Sequence, residues 1–114
     1  MPSPSAAKAA KKDPGPRKDP VQVDPKHYAV ELENDRVRVL RIKYGPNEKS
    51  VMHAHPKTVA IFLGPAQFRF SYPDGKTEDG TVKAGQVMYF DALEHLPENT
   101  GKKAFEVIAI ELKD

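Results

Sequence analysis

Cysteine is absent from this 114-residue sequence, which excludes disulfides and thiolate metal sites. Long apolar runs are absent too. Nothing approaches the roughly 18 apolar residues of a membrane-spanning helix, and the N-terminus lacks the apolar run of a secretory leader. The sequence therefore predicts a soluble, cytoplasmic protein with no membrane partner. Charge of one sign is scarce: the formal net charge is +2. Residues 1–25 account for all of it, with Lys8, Lys11, Lys12, Arg17 and Lys18 against Asp13, Asp19 and Asp24, while the remainder holds 13 basic and 13 acidic residues. A neutral body without a basic stripe argues against nucleic-acid binding. Histidine is rare as well, with four in the chain.

What is present divides into two textures. Residues 1–25 hold six of the eleven prolines and no aromatic residue. Such a segment buries too little apolar area to offset chain entropy, so it reads as a disordered tail. Residues 26–114 read as a single domain, which is the ceiling for this length. "RVRVLRIKY", "TVAIFL", "QFRFSY", "QVMYF" and "AFEVIAIEL" are short, rich in β-branched or aromatic residues, and alternating or uniformly apolar, as strands are. Turn signals lie between them: "YGPNEK", "LGPA", "YPDGKTEDG", "KAGQ" and "NTGKK". Asp74-Gly75 marks a hairpin. From residue 36 onward no stretch sustains a helical period, and one helical turn is expected near "KHYAVELEN". Short strands without helices predict an all-β sandwich or small barrel.

The chemistry concentrates at "MHAHP". Residues i and i+2 of a strand share a face, so His53 and His55 project the same way, roughly 7 Å apart at the backbone. Two imidazoles at that spacing can converge on one ion at about 2 Å each. Pro56 holds His55 extended, since a residue before proline is driven out of the helical region. The other reading of the pair is two exposed histidines on an edge strand.

A third histidine, His95, lies ten residues beyond Gly85 and four before Asn99. Together with Gly45, His53 and His55, this resembles the two-motif signature of the cupin superfamily, over about residues 36–113. Three departures stand out. The spacer from Gly45 to His53 is longer than usual. Asp91 and Leu93 replace the proline and glycine of the second motif. No glutamate follows the histidine pair, where Thr58 and Val59 are found instead. The resemblance implies a single cupin barrel, the double-stranded β-helix or jelly roll. It also implies one divalent metal on His53, His55 and His95: Fe(II) first, with Zn, Ni, Mn or Cu as alternatives, because imidazole suits all of them. Three neutral histidines leave the ion its charge and open coordination positions, as Lewis-acid and oxygenase chemistry require.

Three functions stay open at this point. The first is a non-haem, metal-dependent dioxygenase acting on a small organic molecule. The second is a non-catalytic cupin that binds a small ligand or a metal. The third is a degenerate barrel without metal. Val59, Ile61 and Leu63 share the parity of the histidine pair and are expected to line an apolar cavity. Tyr44, Tyr89 and Phe90 read as core, and Gln67 and Arg69 as outer-face residues. His27 reads as a surface histidine. Glu94 and Glu98 read as exposed turn residues, or as carboxylates that orient His95. "AFEVIAIEL" reads as an edge strand through which a homodimer forms.

Overall fold

The computed structural model of the protein describes residues 18–113. Most of the expected tail, residues 1–17, lies outside the described residues. Its last part does not behave as a tail. Residues 18–25 lie against the barrel, and Pro20–Val23 form the single-turn helix α1. Pro20 at the first helical position, with its φ already fixed for a helix, explains why the turn starts there. The helical turn expected near "KHYAVELEN" is thus found a few residues earlier, and Tyr28–Glu33 form strand β1 instead.

Eight further strands follow: β2 Val37–Tyr44, β3 His53–His55, β4 Thr58–Phe62, β5 Ala66–Ser71, β6 Thr77–Val82, β7 Val87–Phe90, β8 Leu93–Asn99 and β9 Phe105–Leu112. They make two antiparallel sheets, β1-β2-β9-β4-β7 and β3-β8-β5-β6. Each sheet turns one apolar face inward. Ala66, Phe68 and Phe70 of β5 meet Phe105, Val107 and Ala109 of β9 in one buried cluster with Leu40, Tyr44 and Phe62. Strict alternation along β4, β5 and β9 produces this face, because the side-chain period of a strand is two. Gly75 and Gly85 have φ of 90° and 80°. These are the backbone positions where the β5–β6 hairpin and the approach to β7 need glycine's freedom.

Three expectations change here. β9 lies between β2 and β4 in its sheet, so it offers no edge to a second copy. β8 was not expected as a strand. Pro97 lies within it, and a proline demotes a run that otherwise reads as β. In the fold the Pro97 carbonyl accepts from Ser50 N at 2.9 Å. Tyr89 is 54 % exposed and is not core, whereas Tyr44 is buried. Among the described residues no helix is long and apolar enough to cross a membrane.

Candidate metal centre

β3 is three residues long and buried throughout. It pairs with β8 so that His53 lies directly opposite His95. Cross-strand partners and i, i+2 neighbours on one face are the closest side-chain pairs a sheet provides. The register therefore brings all three rings together. Ring centroids are 4.9 Å apart for His53 and His55, 5.0 Å for His53 and His95, and 5.2 Å for His55 and His95. One nitrogen from each ring lies within 4.8 Å of the other two. That approaches the ~4.2 Å limit for two donors each about 2.1 Å from a shared ion.

The hydrogen bonds around the rings leave the converging nitrogens free. His53 Nδ1 donates to the Val51 carbonyl at 2.8 Å. His55 Nδ1 donates to Glu111 Oε2 at 2.7 Å. Both bonds fix the tautomer that presents Nε2 as a lone pair. Among the described residues, His53 Nε2 and both ring nitrogens of His95 are buried with no hydrogen-bond partner. A buried polar atom left unpaired costs about 1–3 kcal/mol, so His53 Nε2 and one nitrogen of His95, close to His55, fit a cation better than empty space. Burial, with the neighbouring His55, lowers the pKa of His53 to about 4. Burial, with His55 and His53, lowers that of His95 to about 2. Both rings are therefore neutral at physiological pH, which is the form that ligates a metal.

Glu111 is the site residue that sequence reasoning missed. Burial works to raise its pKa, but the hydrogen bonds from His55 and Arg38 outweigh burial and hold it below the usual carboxylate range. Arg38 Nε donates to Glu111 Oε1 at 2.8 Å. The charged carboxylate thus has a guanidinium on one oxygen and an imidazole on the other. The signal was present in "AFEVIAIEL": Phe105, Val107, Ala109 and Glu111 share one parity, and that parity faces inward. Glu94 and Glu98, read as exposed turn residues or as carboxylates orienting His95, lie on strand β8 and not in a turn, at the outward-facing positions of its alternation.

Other expected residues take different places. His27 is buried, not on the surface. Its Nδ1 donates to Asp24 Oδ2 at 2.7 Å, its Nε2 lies 3.0 Å from Glu48 Oε1, and its ring stacks on Tyr44. Gly45 and Asn99, both motif residues, meet each other: Asn99 Nδ2 donates to the Gly45 carbonyl at 3.1 Å. They staple the barrel. Gln67 and Arg69 face outward as expected.

Val59, Ile61 and Leu63 do not line the cavity. The chain changes sheets at Pro56-Lys57, which resets the parity, so Thr58, Ala60 and Phe62 face inward. These three line a cavity of about 70 Å³, with His55 and His95 in its wall and Phe68, Phe70 and Phe105 around them. Thr58 Oγ1 donates to the Pro56 carbonyl at 2.7 Å, so this hydroxyl is already engaged.

No family profile matches the chain, and no curated protein matches it. Solved structures do. A cupin domain from Bordetella pertussis is 21 % identical, with a TM-score of 0.70 over 76 % of this chain and 92 % of that one. An RmlC-like cupin family protein with a double-stranded β-helix fold, from Methanocaldococcus jannaschii, is 17 % identical, with a TM-score of 0.60 over 79 % and 84 %. A predicted oxalate decarboxylase from Thermotoga maritima is 26 % identical, with a TM-score of 0.55 over 76 % and 79 %. The chain has the cupin fold, a double-stranded β-helix.

Proposed function

We propose that this cupin barrel holds one divalent metal ion on His53, His55 and His95 and works as a non-haem metal-dependent oxygenase of the dioxygenase class. Its substrate is a small, uncharged organic molecule. The carrying observation is the set of buried, unpaired nitrogens at the convergence of three imidazoles. Fe(II) is the proposed ion, and when bound it supplies Lewis acidity and an open position for O₂. The protein's own contribution is orientation and an apolar wall. Glu111 and the Val51 carbonyl aim His55 and His53, and phenylalanines line much of the adjoining cavity.

Substrate class follows from the cavity. About 70 Å³ admits a handful of heavy atoms, far below the ~300 Å³ at which drug-sized sites begin. Among the described residues no lysine or arginine lines it, so there the ion itself would balance a carboxylate. Oxalate, the substrate named for the Thermotoga neighbour, is therefore a poor fit. A compound with one or two carbonyl or hydroxyl oxygens on an apolar frame fits well.

Metal analysis of untagged, reconstituted protein, followed by O₂ uptake with small diketones, thiols and amino acids, tests the reading. Uptake with uncharged diketones and not with zwitterions is the expected result. A metal-loaded protein that binds such compounds without consuming O₂ would establish the second reading, a non-catalytic ligand-binding cupin. One observation favours that rival: among the described residues no aspartate, glutamate or lysine lines the cavity to serve as a general acid or base.

A homodimer is proposed through β7, not β9. β7 is a sheet edge on which Val87 and Tyr89 are 60 % and 54 % exposed. The opposite edge, β1, is protected by a register shift between Val30 and Leu32. Sedimentation at micromolar concentration checks it, and a lone 12.7 kDa species would refute it.

A further inference from the structure

Residues 18–27 touch the neighbourhood of the metal centre at three separate points. The Lys18 carbonyl accepts from Ala54 N at 2.9 Å. Ala54 lies between His53 and His55, and β3 is an edge strand, so this bond caps the open side of the histidine strand. Asp19 occupies the N-cap of α1, yet its side chain does not cap the helix. It takes the Arg38 guanidinium instead, with Nη2 on Oδ1 and Nη1 3.3 Å from Oδ2. Arg38 passes the contact to Glu111, and Glu111 holds His55. Asp24 is 9 % exposed. Its Oδ2 accepts from Ser50 Oγ and from His27 Nδ1. Ser50 Oγ lies 3.4 Å from His53 Nδ1, a second acceptor beside the Val51 carbonyl.

We infer that residues 18–27 form a strap that is part of the metal centre. Asp19 and Asp24 act as positioning residues for His55 and His53 respectively. The inference rests on the three-histidine reading above. Its physical basis is preorganisation. Ligand rings held by hydrogen bonds reach the ion with less rotamer freedom to lose, and outer partners of metal ligands are worth 10- to 100-fold in affinity. A segment needed only for general stability would have no reason to send both its carboxylates along paths that end on two metal ligands. It would have still less reason to withdraw Asp19 from the cap it is placed to make, since a capping aspartate stabilises its own helix.

Co²⁺ is the probe. Full-length protein is titrated in competition with a chelator, while the visible spectrum reports coordination geometry. Thermal melts with and without Co²⁺ accompany each titration. Asp19→Asn and Asp24→Asn should each weaken Co²⁺ binding by about tenfold or more, alter the Co²⁺ bands, and shrink the metal-induced rise in melting temperature. Asp79→Asn, which breaks an exposed pair with Arg69 elsewhere on the barrel, should change none of these. If Asp24→Asn fails to fold, Asp19→Asn, at the surface end of its path, decides the matter alone. Wild-type affinity and spectrum in the folded variants would overturn the inference while leaving the three-histidine site intact. So would a loss of melting temperature equal with and without Co²⁺. Wild-type protein that binds no Co²⁺ would remove the site itself, and the strap with it.

Discussion

Glu111 Oε2 accepts a 2.7 Å hydrogen bond from His55 Nδ1, and both residues are buried. The pair joins the centre of one sheet to the edge of the other, because Glu111 lies on β9 and His55 on β3. A carboxylate in that position makes the imidazole a better donor and locks its ring. Glu111→Gln should therefore lower metal affinity by about 10- to 100-fold, as read by chelator competition. Glu111→Ala should do more: it also takes the carboxylate from Arg38 Nε, leaving that guanidinium its contact with Asp19, and losing a hydrogen bond between charged groups costs about 1.5–3 kcal/mol. Melts of the metal-free protein should show that second loss. Unchanged affinity in Glu111→Gln would mean that His55 needs no orienting partner.

Metal should stabilise the folded barrel. The three rings converge only in the native sheet register, so an ion binds the folded state almost exclusively. The gain is RT ln(1 + [L]/Kd), about 2.7 kcal/mol at a hundredfold excess over Kd. Chelator should lower the melting temperature and added Fe(II) or Zn(II) should restore it. His53→Ala, His55→Ala and His95→Ala should each abolish the response. A His95→Ala protein that still responds like wild type would rule out the three-histidine site.

The depressed pKa values carry a stability prediction for the metal-free protein. Unfolded histidine titrates near pH 6.5, but folded His53 is held at about 4. Between these values the unfolded chain binds the proton and the folded one does not, so stability falls as pH falls. The contribution is fully present above about pH 6.5 and is lost progressively towards pH 4. For His53 alone the loss is on the order of 3 kcal/mol. His95 extends it to lower pH, since its pKa is lowered further. Denaturant melts at pH 7, 6, 5 and 4.5 with chelator present should show the decline, and His95→Ala should make it shallower from about pH 6.5 downward. Stability that is level or rising from pH 6.5 to 4.5 would contradict buried, neutral His53 and His95.

How far the sequence could be read depended on where alternation stayed unbroken. β5 and β9 alternate cleanly, and their inward residues were predictable. The His53–His55 pair followed from the period of two, and His95 from the resemblance of Gly85, His95 and Asn99 to the second cupin motif. β8 was hidden because Pro97 punctuates it, although β8 is what presents His95 to His53. The cavity wall was assigned to the wrong face of β4. Parity does not survive Pro56-Lys57, where the chain leaves one sheet for the other. Asp24 and Asp19 looked like tail, and His27 like a surface histidine beside it, because composition reports bulk apolar content. It does not report the few polar contacts by which a short segment attaches to a barrel.

The parity of β4 also sorts two substitutions that would restore a carboxylate to the site. Thr58 faces the cavity and pairs in register with Glu111 on one side and Phe90 on the other. Val59 points to the other face of the sheet. Thr58→Glu places a second carboxylate beside Glu111 in a buried setting. Without metal this should destabilise the protein, because like charges in a poorly solvated space oppose ionisation. An ion on the three histidines would remove that penalty by giving the new carboxylate a cation. Thr58→Glu should therefore melt below wild type in chelator, show a larger rise on adding metal, and bind the ion more tightly. Occupying one open position should also slow any O₂-dependent turnover. Val59→Glu should leave affinity and the metal-induced shift at their wild-type values. Parallel melts and chelator competitions on the two variants give the answer. Tighter binding in Val59→Glu than in Thr58→Glu would mean that the inward face of β4 has been assigned wrongly.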